Sequence, residues 1–91
     1  MLYARFLYPN NGYSHDRETV SKSGLEYGKR YAVSSVDIGQ SYTCVKLEKF
    51  ERMFNSVYFE FELGDGTPHD IFSDPEYNTY LRARLIRRGL L

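Results

Sequence analysis

Between Asn55 and Leu63 the chain alternates residue by residue: Val57, Phe59, Phe61 and Leu63 are interleaved with Ser56, Tyr58, Glu60 and Glu62. A period of two built from aromatic and branched side chains marks a strand with one face buried. On a pleated strand the two sets point to opposite faces. The glutamates make the second face wet. The Val57-to-Leu63 row therefore predicts an apolar sheet face that the rest of the chain has to cover, with Tyr58 on the solvent side.

The chain has 91 residues, 42% of them apolar and 26% charged, the proportions of one ordinary folded domain spanning 1–91. Nine Tyr and six Phe, with no Trp, lean towards β-structure and leave tyrosines over for the surface. Twelve basic and twelve acidic residues cancel, so the molecule as a whole has no attraction to nucleic acid or to an anionic membrane. The charge is unevenly spread. Residues 75–91 carry four Arg against one Glu (+3), which leaves residues 1–74 at −3. One cysteine, Cys44, makes an internal disulfide impossible. The N-terminal segment lacks the features of a signal peptide, and no apolar run is long enough to span a bilayer. The expected location is the cytoplasm.

Leu2 to Tyr8 is the first expected strand, with Leu2, Ala4, Phe6 and Tyr8 on one face and Pro9 ending it. After the Asn10-Asn11-Gly12 turn, residues 13–24 are polar and without period, which predicts a long surface loop. Arg30 to Ile38 forms the next strand. Its apolar parity slips between Val33 and Val36 across Ser34-Ser35, the mark of a bulge. Ser41 to Leu47 follows, with Thr43, Val45 and Leu47 on one face. Glu48 to Phe54 fits a helical turn or an irregular connection, with Phe50, Met53 and Phe54 tucked inward. Past the Gly64–Thr67 turn, Pro68 to Phe72 is a short last strand burying Ile71 and Phe72. Asp74-Pro75-Glu76 starts a helix, because Asp caps free amides and Pro suits the first helical position. That helix is expected over about 75–88, ended by Gly89. Tyr77, Leu81 and Leu85 would dock it on the sheet.

This order predicts a mainly β fold: a small, strongly bent, five-stranded antiparallel SH3-like barrel capped by a C-terminal helix. The stretches Gly28 to Val33, Asp37 to Thr43 and Phe54 to Phe61 resemble small uncharacterised SH3-like β-barrel proteins of bacteriophages and of mobile elements of Gram-positive bacteria. The resemblance covers the middle of the chain and implies a binding module, phage-encoded and acting on a host protein. It carries over no catalytic residues.

Chemistry has little to work with. His15, Cys44 and His69 have no metal-ligand spacing, and a structural zinc needs four ligands. Ser14-His15-Asp16 are sequence neighbours and make no triad. Glu60 and Glu62 sit about 7 Å apart on one strand face, a glycosidase-like separation, but alternating charge is what any wet face shows. The glycines at 64 and 66 lack the Lys-Ser/Thr and helix of a phosphate loop. No enzyme, cofactor or metal is expected. Arg82, Arg84, Arg87 and Arg88, with Tyr80, suit a phosphate backbone, although cations also complement a helix C-terminus. Tyr and Arg are equally the residues of protein-binding hot spots. The expected function is a non-catalytic protein-binding module: an accessory protein that docks on, and inhibits, a host defence protein such as a CRISPR nuclease. Nucleic-acid binding through the Arg-rich helix is the alternative. The expected contacts are Tyr80, Arg84, Arg87 and Arg88, then Tyr13 and Arg17 in the loop, and Tyr58 on the wet strand face.

Overall fold

A computed structural model describes all residues, 1–91. Five strands form one antiparallel sheet: β1 (Leu2–Phe6), β2 (Arg30–Ile38), β3 (Thr43–Leu47), β4 (Met53–Asn55) and β5 (Phe59–Leu63), in the order β4-β3-β2-β1-β5. Register explains the core. Leu2 lies opposite Leu63, Ala4 opposite Phe61 and Phe6 opposite Phe59, so two apolar rows meet on the same face. The outward row of β1 and β5 is tied by charge: Arg5 forks onto Glu62 at 2.7 Å, and Arg30 reaches the same carboxylate at 3.6 Å.

β2 is the hinge of the sheet. Its first residues, Arg30–Ala32, pair with β1, and from Val33 onward it pairs with β3. The register shifts between Val33 and Ser35, where the slip in apolar parity predicted a bulge. The bend lets one strand serve both halves of the sheet. Thr43, Val45 and Leu47 of β3 are all buried, as alternation requires. They join Leu2, Ala4, Phe6, Val20, Val33, Phe54, Tyr58, Phe59 and Ile71 in the core, threaded by a chain of edge-to-face aromatic contacts from Tyr31 through Phe50 and Phe54 to Phe59. Each buried Val, Leu, Ile or Phe side chain among them contributes about 1.5–3 kcal/mol by leaving water.

Several expectations are corrected. Residues 13–24 are not a loop: Ser14–Ser21 is a helix, α1. It escaped the periodicity test because a single residue, Val20, is buried, so no stripe exists to detect. The β5 alternation begins later than Ser56. Asn55 Oδ1 accepts a hydrogen bond from Val57 N and sets a 3₁₀ turn over Ser56–Tyr58. That turn rotates the chain, placing Val57 outward at 42% exposure and Tyr58 inward at 0%. Tyr58 is therefore a core residue, not a surface contact. Tyr8 and Met53 are exposed rather than buried. Pro68 makes only a single bridge, to Glu62, and Ile71–Ser73 is another 3₁₀ turn, with Ile71 buried but Phe72 half-exposed. The fifth strand is β4 instead.

The sheet is open. β4 and β5 are its two edges, linked in sequence by the Ser56–Tyr58 turn. The C-terminal helix, α2, spans Thr79–Arg87 rather than 75–88. Asp74 is occupied with Glu76 N and His69 in a preceding turn, so Asn78 becomes the cap and accepts from Leu81 N. α2 does not cap the sheet: none of its residues is buried, Leu81 and Leu85 are half-buried, and Tyr77, at its root, packs on the core. The molecule is elongated, 45 × 30 × 21 Å.

Candidate functional site

α2 is built to stand by itself. Asn78 closes its start. At its end Gly89 takes φ +73°, Gly89 N donates to Ile86 O and Leu90 N to Leu85 O. These paired bonds satisfy the last carbonyls as the αL-terminated cap requires. Arg82, Arg84, Arg87 and Arg88 are all exposed. The ion pairs of the protein engage Arg5, Arg30, Lys22, Lys29, His15 and His69, and none involves these four arginines. The helix dipole favours Arg84, Arg87 and Arg88 near the C-terminus, but it gives Arg82, near the start, nothing. Among the cations, Tyr80, Ile86, Leu90 and Leu91 are each more than half exposed. Of the residues picked from the sequence, Tyr80, Arg84, Arg87 and Arg88 thus share one free helix.

Tyr13 and Arg17 belong elsewhere. Tyr13 precedes α1, stacks on His15 with centroids 6.0 Å apart, and is 73% exposed. Arg17 folds back to donate to Gly12 O at 2.8 Å. Tyr13, Tyr42, Val57 and Phe72 line a groove of about 530 Å³ at one end of the sheet. A second groove of about 560 Å³ adjoins it through Ser56, Val57 and Phe72, floored by Phe59 and Phe61 and edged by Glu60 and Asp70. No residue of α2 lines either groove. Val57 and Phe72 escaped the sequence reading because each alternation rule was broken by a 3₁₀ turn; the signals were the Asx caps at Asn55 and Asp70, whose side chains hold those turns.

Titratable groups are engaged structurally. His69 Nε2 lies 2.8 Å from Asp74 Oδ2 and its ring meets the edge of Tyr77. Ser73 Oγ donates to Asp70 at 2.7 Å. Hydrogen bonds from Glu76 N and then from His69 hold the Asp74 carboxyl below the usual aspartate range. Asp70 is lowered too, first by Ser73 Oγ and then by Phe72 N. Burial, followed by the charges of Asp37 and Asp16, pushes the Cys44 thiol up, which keeps it protonated and a poor nucleophile at neutral pH. No group of three or more His, Cys, Asp or Glu side chains is placed to hold a metal ion, and no helix is long and apolar enough to cross a membrane.

A protein-family model built on the bacteriophage T4 protein Y07B matches residues 1–83. The chain belongs to the Y07B family. A relative from Enterobacteria phage T4, described as an uncharacterized 11.2 kDa protein in the segB-ipI intergenic region, is 38% identical over 80 residues, covering 82% of this chain and 84% of its own. No solved structure matches the chain. The phage part of the earlier resemblance is supported; mobile elements of Gram-positive bacteria find no support. The Y07B match takes in the sheet, α1 and the connector, and ends within α2 after Ala83. Arg84, Arg87 and Arg88 lie beyond it, so any role for them is argued from this chain alone.

Proposed function

We propose that this Y07B-family protein is a non-catalytic, phage-encoded binding module of the bacterial host cytoplasm that docks on a host protein through α2. One observation carries the reading: four unpaired arginines are interspersed with exposed Tyr80, Ile86 and Leu90 along a helix with no buried residue and the short tail that follows it. Arg and Tyr are the residues on which interface energy concentrates, and apolar neighbours exclude water around them. A partner with an acidic surface around an apolar hollow satisfies both. Phage membership supports a host defence protein, such as a CRISPR nuclease, as the class of target, with inhibition as the outcome of docking.

An SH3-like barrel is the finer fold reading that the strand order supports. The order β4-β3-β2-β1-β5, the register shift in β2 and a 3₁₀ turn between the last two strands support it, and β4–β5 pairing would be needed to close the sheet.

Nucleic acid is the second reading, favoured by the same arginines. Phosphates engage cations and leave Ile86 and Leu90 in water, which is why protein is preferred. Capture from host lysate separates the two. A protein retained after nuclease treatment and at moderate salt supports docking. Retention of a generic duplex that collapses as salt rises, with no protein retained, supports nucleic acid.

A further inference from the structure

The two grooves meeting at Val57 and Phe72 form a single apolar surface of distinct charge. Tyr13, Tyr42, Val57 and Phe72 are exposed at 73%, 63%, 42% and 49%. No Lys or Arg lines either groove, whereas Glu60 and Asp70 do; His69 lines the second groove with its ring turned to Asp74, and Glu60 and Asp70 make no ion pair, Glu60 accepting from the Tyr8 hydroxyl and Asp70 from Ser73 Oγ and Phe72 N. A ligand for this surface is therefore apolar and basic. The same chain carries such a segment: α2 and its tail hold four unpaired arginines with exposed Ile86, Leu90 and Leu91. Its own α2 lies outside the grooves, tethered close to them because Asn78 Nδ2 donates to Phe72 O just before the helix starts. The charge division along the chain, −3 before residue 75 and +3 after it, has the matching sign.

We infer that the Val57–Phe72 surface of one copy receives α2 of a second copy, giving a head-to-tail self-association. Such a contact is heterologous. It leaves one free groove and one free α2 on every assembly, so it closes into a ring or extends. Because α2 is also the surface assigned above to the host partner, self-association and partner docking exclude one another on the same helix, and the assembly stores copies with their helices covered.

Two variants break opposite ends. Arg84→Glu with Arg87→Glu spoils α2 and leaves the groove; Val57→Lys with Phe72→Lys puts cations into the groove and leaves α2. All four positions are exposed, and circular dichroism checks each fold; Glu60→Lys is a milder groove variant. Sedimentation over a range of protein concentrations at low salt is expected to show the natural chain growing in mass, each double variant staying monomeric, and an equal mixture of the two stopping at a dimer. Added salt weakens the association. A natural chain that stays monomeric throughout, variants that associate as the natural chain does, or a monomeric mixture beside an associating natural chain overturns the inference. The groove variant also separates the two readings: it loses self-association while its capture of a host protein through α2 is unchanged.

Discussion

The phenol hydroxyl of Tyr58 lies directly against Gly12, so that a Cβ at position 12 would run into it. Gly12 also sits at φ +81°, and the Tyr58 hydroxyl is buried without a hydrogen-bond partner. The turn after β1 and the 3₁₀ turn before β5 are thus fitted to each other. Gly12→Ala is expected to cost about 3 kcal/mol, combining left-handed strain with overpacking. Gly24→Ala, at φ +91° with open space around it, costs about 1–2 kcal/mol from strain alone. Tyr58→Phe leaves stability unchanged or raises it by up to about 1 kcal/mol, since an unpaired buried hydroxyl is removed. In Tyr58→Phe, Gly12→Ala costs less than in the natural chain. Urea unfolding of the Gly12/Tyr58 double-mutant cycle and of Gly24→Ala measures these.

Phe59 and Val57 test the rotated turn. Phe59 is 5% exposed amid Phe6, Phe54 and Phe61, whereas Val57 faces out. Phe59→Ala is expected to lose about 3–5 kcal/mol, and Val57→Ala to stay within about 0.5 kcal/mol. Equal losses would restore the simple alternation from Ser56 and refute the turn.

The connector between β5 and α2 is expected to respond to acid. Asp65, Asp70 and Asp74 each have lowered folded-state pKa values, held first by hydrogen bonds from Thr67 N, Ser73 Oγ and Glu76 N respectively. A depressed carboxyl contributes stability above its unfolded pKa, and that contribution is lost as pH falls through the folded one. The 64–78 segment is therefore expected to loosen as pH drops below about 4, ahead of β1–β3. Amide exchange followed by NMR reads the order of loss, and Asp74→Asn removes part of the pH dependence.

Lys49 occupies φ +73° in the β3–β4 turn, the only non-glycine residue with positive φ. Lys49→Gly is expected to stabilise the protein by about 0.5–1 kcal/mol, relief of left-handed strain outweighing the added freedom of the unfolded chain. Thermal unfolding measures it.

Where one periodicity ruled, the residues revealed the structure before any coordinates. Leu2, Ala4 and Phe6 face in, as do Thr43, Val45 and Leu47, and the Ser34-Ser35 slip is a real bulge. Illegibility followed from short-range hydrogen bonds that override periodicity. Asn55 and Asp70 each hold a 3₁₀ turn that reverses the expected facing of Val57 and Phe72. Asp74 and Asn78 compete for the helix start, and Asn78 holds it because His69 and Glu76 N occupy Asp74. Tyr80 and the arginines are picked out by composition alone, and the structure adds that they lie exposed on α2 and at its end. The grooves required long-range contacts that bring residues 13, 42, 57 and 72 together, and nothing local encodes those.

Docking of a protein partner on α2 is the proposed role of this protein. It is tested most directly by comparing host proteins retained from nuclease-treated lysate by the natural chain and by Arg84→Glu with Arg87→Glu, quantified by mass spectrometry at moderate salt. If the two arginines act as hot spots, their loss at about 1.4 kcal/mol or more in total corresponds to tenfold or greater weakening. One specifically retained protein is expected, with its recovery falling at least that far in the double variant. Equal recovery by both chains would contradict it.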